Sequence, residues 1–267
     1  MRAIVLVGSA VFRESVRDRV PYSMVVFAVL LMAASYLISQ MTAGQDLKII
    51  KDLGLASIAI FGLLIAVFIG IGLVSKEVER KSVYGLLSKP ISRPQFILGK
   101  FLGLMLTLAV NISAMTVAFY GVLFYMDLVN PGLELAARAP AVDPRLLIAI
   151  GLILAELMVV TALALFFSTF SSPLLATLLT LGLWVAGHFN ADLRNFENVI
   201  DSTAVAWIAR VLYYVLPNLA PFDVKAEVVH AFPVTLRHVA LTVAYAAVYT
   251  GVLLTGAVAV FRRRDFK

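Results

Sequence analysis

Six long apolar stretches constrain this chain more than any other feature. They cover about 22–43, 53–74, 96–126, 145–170, 173–189 and 239–261. A helix needs about 20 apolar residues to cross the roughly 30 Å hydrocarbon core of a bilayer, and the six stretches meet that requirement. The strands of a transmembrane barrel would be about 10 residues long and would alternate in polarity. The sequence therefore predicts an all-α, polytopic membrane protein with six transmembrane helices in one domain, residues 1–267.

Composition supports a membrane location. Hydrophobic residues make up 61% of the 267-residue chain, charged residues make up 14%, and the mean hydropathy is +0.96. Soluble domains carry roughly 45–50% apolar and about 25% charged residues, so this chain is too apolar for a soluble core. Disordered, collagen-like and coiled-coil folds are excluded on the same ground. Cysteine is absent, which excludes a disulfide scaffold, a thiolate metal site and a cysteine nucleophile.

Residues 1–20 predict an amphipathic helix that lies on the membrane surface. The apolar residues that fall on one helical face are Ile4, Val7, Val11, Phe12 and Val16. The cationic groups of the segment are Arg2, Arg13, Arg17 and Arg19. The alternative is a loosely structured charged leader.

The charges are distributed unequally between the two sides of the predicted spans. If all six spans cross and the N-terminus is cytoplasmic, the cytoplasmic pieces are 1–20, 75–100, 262–267 and a short turn at 171–172. They contain fourteen basic and five acidic residues, whereas the outer pieces contain eight basic and ten acidic residues. Cytoplasmic loops are enriched in Lys and Arg. We therefore expect a multi-pass protein of the cytoplasmic (inner) membrane with both termini inside, and the net charge of +6 requires no nucleic-acid partner.

Two outer segments connect the spans, at about 127–144 and 190–238. The second carries apolar residues on one helical face, namely Ala204, Trp207, Ile208, Val211 and Val215. This pattern predicts a helix that lies on the outer leaflet or dips into it. A helix that only packs over the bundle is an equally good interpretation.

The loop at 75–95 combines dense charge with an apolar patch. Its charged residues include Lys76, Glu77, Glu79, Arg80 and Lys81, and the apolar residues beside them are Val83, Leu86 and Leu87. Pro90 and Pro94 end any helix in this loop. A short helix of this kind is suited to docking into a groove on a soluble partner. The alternative is a solvated connector.

A family resemblance begins in the same loop. Glu77, the run Gly85-Leu86-Leu87-Ser88-Lys89-Pro90-Ile91-Ser92-Arg93, and Gly99-Lys100 resemble the first cytoplasmic loop of the type 2 ABC-transporter permeases. They are most similar to the branch that contains the permease for maturation of the multicopper nitrous oxide reductase. The similarity continues at 13–19, 162–173, 217–223 and 261–265, and so covers nearly the whole chain.

The resemblance implies the membrane-spanning permease subunit of an ATP-driven exporter. Two such chains, or this chain and a close relative, would pair with two soluble P-loop ATPase subunits in the lipid bilayer. The residues implied in ATPase coupling are Glu77, Lys81, Val83, Gly85, Leu86, Leu87, Pro90 and Arg93. Ser171 and Ser172 would make a second, smaller cytoplasmic contact. ATP and Mg²⁺ would be bound by the partner, with no cofactor in this chain.

The sequence itself also indicates that this chain does not bind ATP through a phosphate-binding loop. A phosphate-binding loop has the form G-x-x-x-x-G-K-[ST], but Gly99-Lys100 is followed by Phe101, and no glycine lies five residues before Gly99. No catalytic motif such as H-E-x-x-H is present either. The chain is therefore not expected to be an enzyme, and its energy must come from a partner or from an ion gradient.

One acidic residue falls near the middle of an apolar stretch. Glu156 lies about 11 residues into the fourth stretch, where an ionised group costs about 2.5–3.5 kcal/mol on insertion scales. It would contact substrate or couple protons in a self-sufficient ion-coupled transporter. Alternatively, it makes a structural hydrogen bond to a neighbouring helix, for instance to Asn111 or Ser113.

Two further patterns carry weaker signals. Gly99 and Gly103 form a G-x-x-x-G pair, which permits close approach of another helix. The three histidines, His188, His230 and His238, all fall in predicted outer segments or at their edges. Their spacing matches no metal-ligand motif.

Overall fold

The computed structural model describes residues 2–39, 46–79, 92–129, 140–189 and 216–263. Most of these residues are helical and none lies in a strand, which confirms the all-α prediction for the described part of the chain. The helices are α1 (Arg2–Arg17), α2 (Arg19–Ser39), α3 (Asp46–Glu79), α4 (Arg93–Val129), α5 (Leu146–Ser168), α6 (Pro173–His188), α7 (Lys225–Val229) and α8 (Leu236–Arg263), with a 3-10 turn at Ala220–Phe222 before α7.

The described helices provide four or five candidate spans. Four helices are individually long and apolar enough to cross a membrane, and the spans are Leu47–Gly72, Arg93–Val129, Leu146–Ser168 and Leu236–Phe261. α1 and α2 form a further apolar pair that is bent by 61°. α6 has 16 residues, about 24 Å at 1.5 Å per residue, which is short of the roughly 30 Å core. The structure thus supports a multi-pass helical protein, while the count of six spans stays a prediction.

Some of the described helices are longer than the spans predicted for them. α3 and α4 contain the predicted stretches at 53–74 and 96–126 and continue beyond them at both ends. Polar residues in the added turns keep a helical conformation, because backbone hydrogen bonding does not depend on an apolar side chain. α6 begins at Pro173, as predicted, because proline suits the first helical turn.

α3 and α5 run parallel and pack closely at two glycines of α3. A Cβ at Gly62 would lie 2.6 Å from Leu157 Cδ1, and a Cβ at Gly70 would lie 3.4 Å from Ala164 Cβ. The eight-residue interval between the glycines is just over two turns, so both lie on one side of α3. α3 also packs against α2 and α4, which places it in the middle of the bundle.

α1 packs along the first turns of α4 through the G-x-x-x-G pair. A Cβ at Gly99 would lie 2.6 Å from Val7 Cβ, and a Cβ at Gly103 would lie 2.6 Å from the backbone oxygen of Gly8 and 2.7 Å from Val11 Cβ. Two helices approach this closely only where a side chain is missing. The close contact expected from Gly99 and Gly103 is therefore made with α1 of the same chain.

The other face of α1 remains exposed and partly apolar. Val5 and Leu6 are 69% and 67% exposed, as expected for a helix whose surface meets lipid. The predicted amphipathic helix at 1–20 is thus a helix, with bounds Arg2–Arg17. It has a second partner that its sequence alone did not identify, namely α4.

Residues 216–235 cover the end of the bundle where α3 and α5 begin. Val228 and Val229 of α7 are buried, and α7 packs against α3 and α5. Lys51 of α3 is buried there as well, and its ammonium group donates a hydrogen bond to the carbonyl of Pro140 at 2.8 Å. This part of the second outer segment packs over the bundle. The helix predicted around 204–215 lies outside the described residues.

Candidate functional site

The predicted coupling loop is attached to one end of the bundle, where α3 ends and α4 begins. α3 continues to Glu79, seven residues beyond the candidate span that ends at Gly72. Lys81, Val83, Gly85, Leu86, Leu87 and Pro90 lie outside the described residues. At Glu77 the backbone alone is described, and it is helical.

Arg93 connects the start of α4 to the end of α8. Its Nη1 donates a hydrogen bond to the carbonyl of Phe261 at 2.9 Å, and its guanidinium carbon lies 5.9 Å from the centroid of the Phe261 ring. Phe96, one turn along α4, stacks on the same ring with centroids 6.1 Å apart. A cation beside the last carbonyls of a helix is electrostatically favourable. Arg93 therefore joins the coupling loop to a second membrane helix.

The turn between α5 and α6 lies at this same end of the bundle. Gly256 of α8, five residues before Phe261, is in contact range of Phe166 at the end of α5. Ser171 Oγ and its backbone N–H both donate to Phe167 O at 2.9 Å. Ser172 is exposed, and its carbonyl accepts the first hydrogen bond of α6. The two serines of the predicted second contact therefore belong to a tight turn between α5 and α6.

The intramembrane carboxylate is held between α5 and α6. Glu156 is 6% exposed, and its Oε1 accepts a hydrogen bond from Trp184 Nε1 at 2.6 Å. His188 Nε2 lies 3.5 Å from the same oxygen. Trp184 and His188 are four residues apart, so they share one face of α6. The neighbouring-helix interaction considered for Glu156 is thus made with α6.

The histidine of this cluster is oriented by the backbone. His188 Nδ1 lies 3.0 Å from the carbonyl of Trp184, which can only accept, so Nδ1 carries the hydrogen. Nε2 is then the atom that faces Glu156. The contact between Nε2 and the carboxyl oxygen is favourable when the two groups hold one proton between them. That proton lies either on the imidazole or on the carboxyl group.

Residues 217–219 pack against the end of α6, beside His188. Leu219 N–H donates to the carbonyl of Gly187 at 2.9 Å. A Cβ at Gly187 would lie 2.8 Å from Pro217 O and from Leu219 Cγ. Glycine is therefore required next to His188 for residues 216–222 to reach the end of α6.

Asn111 and Ser113 of α4 bond within their own helix, as do Thr107 and Thr116. Asn111 Nδ2 donates to Thr107 O at 2.7 Å, and Ser113 Oγ donates to Ala109 O at 2.7 Å. Such back-bonding satisfies a polar side chain without a partner helix. Neither residue is the hydrogen-bond partner of Glu156, and the interhelical role expected for them is not seen in these contacts.

The histidines are separated in the structure. His230 Nδ1 lies 2.9 Å from Ala226 O, and His238 Nε2 lies 2.9 Å from Pro221 O, whereas His188 lies beside Glu156. Among the described residues no group of three or more potential metal ligands is found.

Replacing Trp184 by phenylalanine is expected to destabilise the protein by about 1–3 kcal/mol, because the buried Glu156 oxygen loses its donor. The measurement is thermal unfolding of the purified chain in detergent. The control is the same change in a Glu156→Leu background, where no carboxylate is left to satisfy and little further loss is expected. An equal loss in both backgrounds would show that ring packing, and not the hydrogen bond, is responsible.

The sequence indicated Glu156 but missed Trp184 and His188. Their four-residue spacing on α6 is a weak signal, because the same spacing occurs on any helix. His188 was placed at the outer edge of the fifth stretch. Because α6 is short and ends beside the midpoint of α5, its last residue reaches Glu156 instead.

The long apolar helices of the described residues are those of a multi-pass helical membrane protein. Residues 10–266 match the profile of the ABC-2 family transporter protein, and the chain belongs to this family. ABC-2 permeases are membrane transporter subunits and not catalysts themselves, and they typically pair with an ATPase subunit. No curated protein matches the chain.

Proposed function

We propose that this chain is the permease subunit of an ATP-binding-cassette exporter and that it couples to a separate P-loop ATPase through the loop at 75–95. The observation that carries the proposal is the family match over residues 10–266. The loop joins α3, which continues seven residues beyond its candidate span, to the first residue of the α4 span. Force applied to the loop would therefore act directly on α3 and α4.

The contacts of α4 support a role in transmitting movement. Its first residue, Arg93, donates a hydrogen bond to the carbonyl of Phe261 near the end of α8. α1 packs against Gly99 and Gly103 of α4. A shift of the loop would thus move three membrane-associated helices together. The turn with Ser171 and Ser172 lies at the same end of the bundle, and in this proposal it makes the second, smaller contact.

The same proposal includes the number of spans, the side of the termini, the subunits of the complex and the branch of the family. The chain forms one membrane domain, in which α2 and α6 cross the inner membrane in addition to the four long spans, with both termini inside. Two permease chains, identical or closely related, assemble with two ATPases that bind ATP and Mg²⁺. The loop residues 85–93 favour the branch related to maturation of nitrous oxide reductase.

A second candidate function is a self-sufficient ion-coupled transporter. The contact of Glu156 with His188 favours it, because a buried carboxyl and imidazole can share one proton. The family match and the typical ATPase partner weigh against it. In that case Glu156→Gln would abolish transport, and ATP depletion at a constant ion gradient would not.

Labelling of single cysteines tests the orientation and the loop contact together. The chain has no cysteine, so Ser88→Cys in the loop and Ser202→Cys in the outer segment each give one thiol. In intact cells a membrane-impermeant maleimide is expected to label Ser202→Cys only. In inverted vesicles it should label Ser88→Cys, more slowly with the ATPase bound. The reverse labelling pattern, or a loop thiol that the ATPase never protects, would contradict the proposal.

A further inference from the structure

A groove lies between the first turns of α4 and the last third of α8. Pro94 and Leu98 line one side of it, and the other side is formed by Gly251, Leu254, Thr255, Val258 and Ala259. Its volume is about 390 Å³, within the range of about 300–1,000 Å³ that is common for small-molecule sites. Both helices are candidate membrane spans by their length and composition.

The wall of the groove is apolar. Thr255 is the polar side chain among its lining residues, and its hydroxyl donates to Val252 O of its own helix at 2.8 Å. The groove therefore suits a hydrocarbon chain. A polar ligand placed there would lose its hydrogen bonds to water without replacement.

An arginine lies at one end of the groove. Arg93 precedes the groove residue Pro94, and its guanidinium lies against Phe261 at the end of α8. α8 continues into Arg262 and Arg263. The first turn of α4, a helix of 37 residues, adds the positive end of its macrodipole.

We propose that this groove binds an anionic phospholipid of the surrounding bilayer. One acyl chain lies between α4 and α8, and the phosphate group lies at the basic end beside Arg93 and the start of α4. An apolar channel that ends at an arginine complements such an amphiphile, since arginine pairs well with phosphate oxygens. This binding shares Arg93 with the proposed coupling region and does not depend on the identity of the transported substrate.

Native mass spectrometry of the full-length chain, purified in mild detergent with added phosphatidylglycerol or phosphatidylcholine, measures the binding. The wild-type protein is expected to retain phosphatidylglycerol in preference to phosphatidylcholine. Gly251→Leu fills the groove, and nothing lies within 4 Å of a Cβ at this position, so the fold should tolerate it. Retained phosphatidylglycerol should fall roughly tenfold, equivalent to ~1.4 kcal/mol. Gly121→Leu is the matched control, because its Cβ would also meet nothing within 4 Å and it lies outside the groove.

The basic end is tested by changing Arg93. Arg93→Gln is expected to reduce the preference for phosphatidylglycerol over phosphatidylcholine, whereas Arg93→Lys should keep most of it. Inorganic phosphate, which has no acyl chain, should not be retained. Unchanged lipid retention in Gly251→Leu, or equal retention of both lipids by the wild-type chain, would overturn the proposal. A shift of Gly251→Leu from dimer to monomer without lipid loss would also overturn it and assign the groove to a second copy of the chain.

Discussion

Replacing Leu86 and Leu87 together by aspartate is expected to release the partner ATPase from the membrane complex. In the proposed complex both leucines lie in a groove of the ATPase. Burial of one leucine side chain contributes about 1.5–3 kcal/mol. Loss of two such contacts corresponds to a decrease in affinity of about a hundredfold or more. Two new carboxylates in an apolar groove would weaken the complex further. The readout is the amount of ATPase that copurifies with the tagged chain.

The control for this variant is the same double change at the other end of α4. Leu128 and Val129 are adjacent and 66% and 47% exposed, so aspartate there adds the same charge away from the loop. Copurification should stay at the wild-type level in the control. If Leu86→Asp with Leu87→Asp also retains the ATPase at that level, the loop at 75–95 is not the coupling element.

Replacing Gly103 by leucine is expected to separate α1 from α4. The added Cβ would lie 2.6 Å from the backbone oxygen of Gly8 and 2.7 Å from Val11 Cβ, and backbone atoms cannot move aside as a side-chain end can. Overpacking of this kind costs about 1–3 kcal/mol, occasionally more. Thermal unfolding in detergent should show a clear decrease in stability. Limited proteolysis should show new cleavage within residues 1–20.

The matched control is Gly121→Leu, which makes the same substitution on the same helix. A Cβ at Gly121 would meet nothing within 4 Å, so this variant should unfold near the wild-type temperature. If Gly103→Leu unfolded at that temperature as well, with no new cleavage of the N-terminal segment, α1 would not be packed on α4 as described.

The long apolar helices were largely predictable because they depend on local composition. A run of about 20 apolar residues predicts a membrane helix whatever its neighbours are. For this reason the predicted stretches at 53–74 and 145–170 correspond to α3 and α5. The sequence did not predict that α3 would continue to Glu79, since charged residues mark where an apolar span ends but not where the helix ends.

Tertiary contacts were less predictable because they depend on which faces meet. The pair Gly99 and Gly103 predicted a close helix contact, but nothing in it identified α1 as the partner. Glu156 was recognised by its cost in a membrane, yet Trp184, its donor, lies 28 residues away. The donor is brought there by the turn between α5 and α6, and a residue spacing alone does not specify that geometry.

The mass of the intact complex tests the central claim most directly. The tagged full-length chain, purified in mild detergent from its own membrane, would be weighed by native mass spectrometry, and its partners identified by peptide sequencing. The proposal predicts two permease chains together with two soluble P-loop ATPase subunits, which are lost in the Leu86→Asp, Leu87→Asp variant. A homogeneous complex without any ATP-binding subunit, from membranes that still transport when ATP is depleted, would contradict it.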